Sequence, residues 1–187
     1  MNRVATLQQD PSSLGELPTT GGMRPGPIRR LPAGAASVWQ GSRPVAIRIP
    51  TIQVDTDVEM AKILNGVMQD PSGPWIVAWY RGTSRLGVPG NAVFSGHVDY
   101  AGVGPAVFAR LAELQPDDGI EITGNDVRIY RYRVIWARLY DAATAPVAEI
   151  AGPTSTECAT LITCGGTFNA ESGQYDQRYV VRAERRL

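Results

Sequence analysis

The chain has 187 residues, 43% of them hydrophobic, enough for one folded domain with a core of one or two layers and a tail beside it. Its 18 basic and 18 acidic residues cancel, which removes the electrostatic case for nucleic acid as a main partner and weakens one for an acidic membrane surface. No run of about 18 apolar residues is present to span a bilayer, and the first residues hold no apolar block of the signal-peptide kind, so any membrane attachment requires an anchor outside this chain.

Residues 1–43 carry Pro11, Pro18, Pro25, Pro27 and Pro32 among many Gly, Ser and Thr, the composition of a flexible tail, linker or lid. The catalytic or binding domain is expected over 44–187. Strand patterns follow in order: Val45 to Ile49, Ile52 to Asp55, Trp75 to Tyr80, Ala92 to His97, Val127 to Leu139, Thr160 to Cys164 and Tyr179 to Val181. Residues Pro105 to Leu114 read as a helix, with Pro105 at its first position and Val107, Leu111 and Leu114 on one face. Val58 to Met68 is a weaker helical candidate. Many short strands with Gly and Pro between them predict a mostly β sandwich or barrel with one or two short helices.

Three residue types here are able to do chemistry. His97, the sole histidine, ends an apolar run in Phe94-Ser95-Gly96-His97-Val98-Asp99 and is suited to proton transfer near neutral pH. Cys164 closes the run Thr160-Leu161-Ile162-Thr163-Cys164 before Gly165-Gly166, which reads as a turn, so its thiol is placed to meet a substrate. Arg178 precedes the last strand, where a guanidinium suits an oxyanion or a substrate carbonyl. Each also has an ordinary structural explanation: a satisfied histidine, a buried inert thiol, a solvated arginine. Cys158 fits the inert explanation best. Six residues from Cys164 on one strand, it lies roughly 20 Å away, too far for a disulfide. The same spacing disfavours zinc, and neither a metal nor an organic cofactor is expected.

Together these segments resemble the sortase family of cysteine transpeptidases. The carriers are Thr160-Leu161-Ile162-Thr163-Cys164, the pair Gly96-His97 and Arg178 ahead of the last strand, in that family's order, over roughly residues 44–185. Gly96-His97-Val98-Asp99, Pro105-Ala106-Val107-Phe108 and Cys164-Gly165-Gly166 look most like class F, with class E the nearest competitor. The resemblance implies a closed eight-stranded β-barrel with a surface groove. In it Cys164 would attack the Thr–Gly bond of a Leu-Pro-x-Thr-Gly sorting signal, Arg178 would stabilise the oxyanion and His97 would protonate the leaving amine. An amine acceptor, from a cell-wall precursor or a protein, would resolve the thioester at the extracellular face of a bacterial membrane, anchoring surface proteins. Thr160 and Ile162 would line the groove, with Thr163 and Ser95 as further substrate contacts and the loop from Gly165 to Gln177 along its edge. The tail itself contains Leu17-Pro18-Thr19-Thr20-Gly21, which fits the sorting signal and is either a coincidence of composition or a pseudosubstrate. A non-catalytic peptide-binding barrel, and a different cysteine amidase or transpeptidase, remain open alternatives.

Overall fold

The computed structural model describes residues 40–186. Eight strands form a closed barrel: β1 (Pro44–Ile49), β2 (Val54–Ala61), β3 (Val77–Tyr80), β4 (Gly90–Ser95), β5 (Gly119–Gly124), β6 (Ile129–Asp141), β7 (Glu157–Asn169) and β8 (Gln174–Arg185). Around the barrel the order is β1-β2-β3-β4-β7-β8-β6-β5, and β5 closes on β1. The β2–β3 and β4–β7 pairs are parallel and the other neighbours antiparallel. One α-helix among the described residues, α1 (Val147–Ala151), covers the crossover before β7.

The core follows from strand alternation. On β6, Tyr130, Tyr132 and Val134 point inward while Arg131 and Arg133 point to solvent, the two-residue period of a half-buried strand. Ile47 and Ile49 on β1, Ile120 and Ile122 on β5, Phe94 on β4, and Ala159 and Leu161 on β7 join them in one interior cluster. A second, smaller cluster lies outside the barrel wall: Ala61, Ala78, Tyr80 and Val93, with Met68, Ala151 and Ile162 packed on it. It is the apolar floor beside the groove described below.

The structure departs from the sequence pattern in four places. Residues 105–114 form no α-helix; Pro105 pairs in a two-residue strand with Asp99, and only Leu111–Glu113 is a 3₁₀ turn. The reason is visible in the hydrogen bonds. The Val107 and Phe108 amides donate to the distant carbonyls of Pro74 and His97, and the later bonds run three residues back. Phe108, Leu111 and Leu114, spaced by three, are therefore the buried set. Residues 58–68 are not helical either: β2 runs to Ala61, and Ile63–Leu64 pairs with Val67–Met68 in a small hairpin. Strand β5 and helix α1 had no clear signal, since β5 is short and Gly-bounded and α1 is a single turn after Pro146. Finally, Cys164 does not end its strand. β7 continues to Asn169 and returns as β8 from Gln174, so the stretch 165–177 is a hairpin arm with a register shift between Gly165 and Phe168 rather than a free loop. Gly166 sits at φ +78°, a left-handed conformation that L side chains rarely adopt, which ties the irregularity to glycine.

Before Pro44 the chain is already engaged. Ser42 is buried, exchanges backbone hydrogen bonds with Leu86, and its hydroxyl reaches Asn125 and Asp126. The segment Leu17–Gly21 lies outside the described residues.

Candidate active site

Cys164 stands directly opposite Arg178 in the antiparallel β7–β8 register. Opposed residues of such a pair project to the same face, with Cβ atoms about 5 Å apart. Arg178 Nη1 donates to the carbonyls of Tyr175 and Gln177, each at 2.8 Å. That bracing leaves its Nε and Nη2 donors without a partner among the described residues. Burial pushes the Cys164 thiol above its ordinary value; the Arg178 charge pulls it down, and the carboxylates of Asp70 and Asp99 push it up again.

His97 follows β4, and its placement is set by Gly96. The Gly96 amide donates to Ile162 O at 3.2 Å, and the Thr163 hydroxyl donates to Gly96 O at 2.8 Å. Both groups of Gly96 are thus fastened to β7 within two residues of Cys164. Only glycine fits: an added Cβ would meet the Phe108 ring at 2.5 Å and Val107 Cγ1 at 2.8 Å. Beyond Gly96, the Phe108 amide donates to His97 O at 2.9 Å. The ring of His97 meets Tyr100 edge-on, centroids 5.2 Å apart, and its Nε2 lies 3.1 Å from Pro71 O.

Cys164, His97 and Arg178 line one open cleft of about 520 Å³ on the outer face of the barrel. Ser95, Ile162 and Tyr80 lie on its floor, and Val67, Met68 and Pro71 wall one side. The size suits a short peptide segment rather than a folded surface. Among the described residues no cluster of His, Cys, Asp and Glu is arranged to hold a metal ion.

The structure separates the other candidates. Ile162 lines the cleft. Ser95 does too, but its hydroxyl is 2.6 Å from that of Tyr80. Because Tyr80 donates to Gln69 O at 2.8 Å, Ser95 is the donor of that pair. Thr163 lines the cleft as well; it is 5% exposed, and its hydroxyl donates to Gly96 O, beside the histidine. Thr160 does not line the cleft, correcting the expectation that it lines the groove with Ile162. It shares the face of Ile162 and Cys164, but α1 covers it: its hydroxyl donates to Asn91 Oδ1 at 2.6 Å, and Asn91 Nδ2 in turn donates to Ile150 O and Gly152 O. Cys158, at the far end of β7, is buried with Thr156 Oγ1 3.5 Å from its sulfur, and both cysteines are free thiols. Two contributors escaped the sequence reading. Tyr80 closes an apolar run and looks like core. Tyr175 lies on the hairpin arm, where its hydroxyl donates to Asp99 Oδ2 at 2.5 Å and bridges the arm to the histidine loop. The spacing Tyr175-x-x-Arg178 is the only local hint of it.

The sortase domain family model matches residues 47–186. The chain belongs to the sortase family. No match was found among curated protein sequences. Among solved structures, this sortase is similar in fold to a lid mutant of sortase A from Corynebacterium diphtheriae, at 21% identity, TM-score 0.59, covering 77% of this chain and 70% of that one. It is similar also to Listeria monocytogenes sortase A, at 19% identity, TM-score 0.58, over 78% and 88% of the two chains. The Clostridium perfringens sortase D5 transpeptidase aligns at 20% identity, TM-score 0.57, over 82% and 85%. Among the described residues no helix is long and apolar enough to cross a membrane.

Proposed function

We propose that this sortase is a cysteine transpeptidase that cleaves a Leu-Pro-x-Thr-Gly-type signal between Thr and Gly. The observation that carries the reading is the meeting of Cys164, His97 and Arg178 in one peptide-sized cleft. The Cys164 thiolate attacks the threonine carbonyl carbon, and its electron pair moves to the oxygen. The free N–H donors of Arg178 stabilise that oxyanion. Collapse breaks the C–N bond, and His97 gives its proton to the departing glycine amine. The thioester left on Cys164 is then attacked by an amine acceptor, whose surplus proton His97 takes up as the thiolate is released. Burial and the Asp70 and Asp99 carboxylates disfavour the thiolate, and the Arg178 charge is what favours the attacking form against them.

The reading extends to a sorting-signal peptide and an amine acceptor as partners, from a cell-wall precursor or a protein, at the extracellular face of a bacterial membrane. The segments Gly96 to Asp99 and Cys164 to Gly166 favour class F. We also assign Leu17-Pro18-Thr19-Thr20-Gly21 as a self-substrate or pseudosubstrate of the tail. Removing residues 1–39, which spares Ser42, then raises the rate on added peptide; an unchanged rate removes the idea.

The test of the main reading is a panel of Leu-Pro-x-Thr-Gly peptides with an amine acceptor, followed by mass spectrometry. A thioester adduct on Cys164 and a transfer product are expected. Cys164→Ala abolishes both with the fold intact, and Cys158→Ala keeps them. No adduct with any peptide favours a non-catalytic peptide-binding barrel.

A further inference from the structure

The Pro71 carbonyl and the Ser72 amide belong to one peptide group, and each end is held by a charged or ionisable side chain. The carbonyl faces His97 Nε2 at 3.1 Å. On the other side the Ser72 amide donates to Glu59 Oε1 at 2.6 Å and the Ser72 hydroxyl to Glu59 Oε2 at 2.8 Å. The segment is tied down at its start as well. The Gln69 amide donates to Lys62 O, the Lys62 amide donates to Gln69 Oε1, and Tyr80 donates to Gln69 O. A carbonyl oxygen only accepts, so the nitrogen facing it carries the proton. A carboxylate taking up the amide end polarises the same peptide group and makes its carbonyl a better acceptor.

We propose that Glu59 is a positioning residue for His97. Acting through the Pro71–Ser72 peptide group, its carboxylate fixes the ring as the Nε2–H tautomer and leaves Nδ1 as the nitrogen that exchanges protons. In many enzymes a carboxylate bonds the histidine directly to set tautomer and orientation; here a peptide unit stands between them. Glu59 touches no reacting atom. The ring also packs against Tyr100 in a T-shaped contact, centroids 5.2 Å apart. That Nδ1 serves the glycine amine rests on the transpeptidase reading; the tautomer itself does not.

His97 is the sole histidine, so ¹⁵N NMR of histidine-labelled full chain reads one ring without assignment. At alkaline pH, with the ring neutral, the wild type is expected in the Nε2–H form with a slowly exchanging, downfield Nε2 proton. Glu59→Gln and Glu59→Ala are expected to lose that slow proton and to move the populations toward those of a free imidazole. In peptide cleavage kcat falls about 10-fold with KM nearly unchanged. A wild-type ring in the Nδ1–H form overturns the inference, with no variant needed. So do unaltered tautomer and exchange in a folded Glu59→Gln. A tautomer change in a protein that cleaves no peptide upholds the role of Glu59 while the transpeptidase reading fails. Cleavage with no change in the ring does the reverse.

Discussion

Thr163→Val replaces a hydroxyl by a methyl of nearly the same shape in a site that is 5% exposed. It deletes one contact, the 2.8 Å hydrogen bond to Gly96 O, and leaves a buried carbonyl without that donor. An unsatisfied buried polar group costs about 1–3 kcal/mol. Taking the middle of that range, with about 2–4 °C per kcal/mol for a chain of this size, the melting temperature should fall by about 4–8 °C. The larger effect is expected in catalysis. Gly96 keeps only its amide bond to Ile162, and His97, one residue on, is free to drift from Cys164. A displacement of about 1 Å at a reacting group costs on the order of 10²-fold in rate. The assay is cleavage of a fluorogenic Leu-Pro-x-Thr-Gly peptide beside a thermal melt. Expected is a fall in kcat with KM little changed, and recovery of both melt and rate in Thr163→Ser, which keeps the donor. If Thr163→Val instead raises KM and leaves kcat and the melt alone, the hydroxyl serves the substrate and the clamp argument is wrong.

Gly96→Ala tests the same clamp from the other side. The added Cβ, 2.5 Å from the Phe108 ring, must move about 1 Å to reach an ordinary contact, and the expected outcome is a loss of about 1–3 kcal/mol and of kcat on the scale of Thr163→Val; a wild-type rate would show that close packing does not set His97. Arg178→Ala removes the positive charge that pulls the Cys164 thiol down, so the pH profile of Cys164 alkylation should move to higher pH, and Arg178→Lys should return part of the shift. A profile that stays put or moves down excludes the register-based pairing. Tyr175, its hydroxyl bonded to Asp99, has a pKa pushed up to about 12. Because the folded value is the higher one, this contact stabilises the fold fully below about pH 10, the ordinary tyrosine value, and is lost as pH rises through about 12. Tyrosinate absorbance of wild type minus Tyr175→Phe should isolate that late titration, and Asp99→Asn should bring it back toward 10; an ordinary midpoint in the wild type refutes the bridge.

How much of this was legible depended on whether the cause was local. Strands such as Ile129–Asp141 could be read because alternate residues face opposite media and the sequence records that alternation directly. The helix expected over 105–114 failed because its amides are claimed by Pro74 and His97, partners that no window of sequence contains. Thr160 failed for the same kind of reason: strand periodicity reports its face, but whether solvent or α1 covers that face is decided by a segment joined through Asn91.

The sequence by itself placed a thiol, the sole imidazole and Arg178 in the order the sortase family carries them, on strands whose alternation pointed to a mostly β sandwich or barrel. Only the tertiary structure decided which partner each polar side chain meets. The β7–β8 hairpin register sets Arg178 opposite Cys164, barrel assembly brings the Thr163 hydroxyl to Gly96 O, and the turn after β2 brings Ser72 to Glu59 and Pro71 to His97. Residue identity fixes which hydrogen bonds a group is able to make; which partner receives them depends on distances between segments far apart in the chain, and those exist only once the barrel has closed.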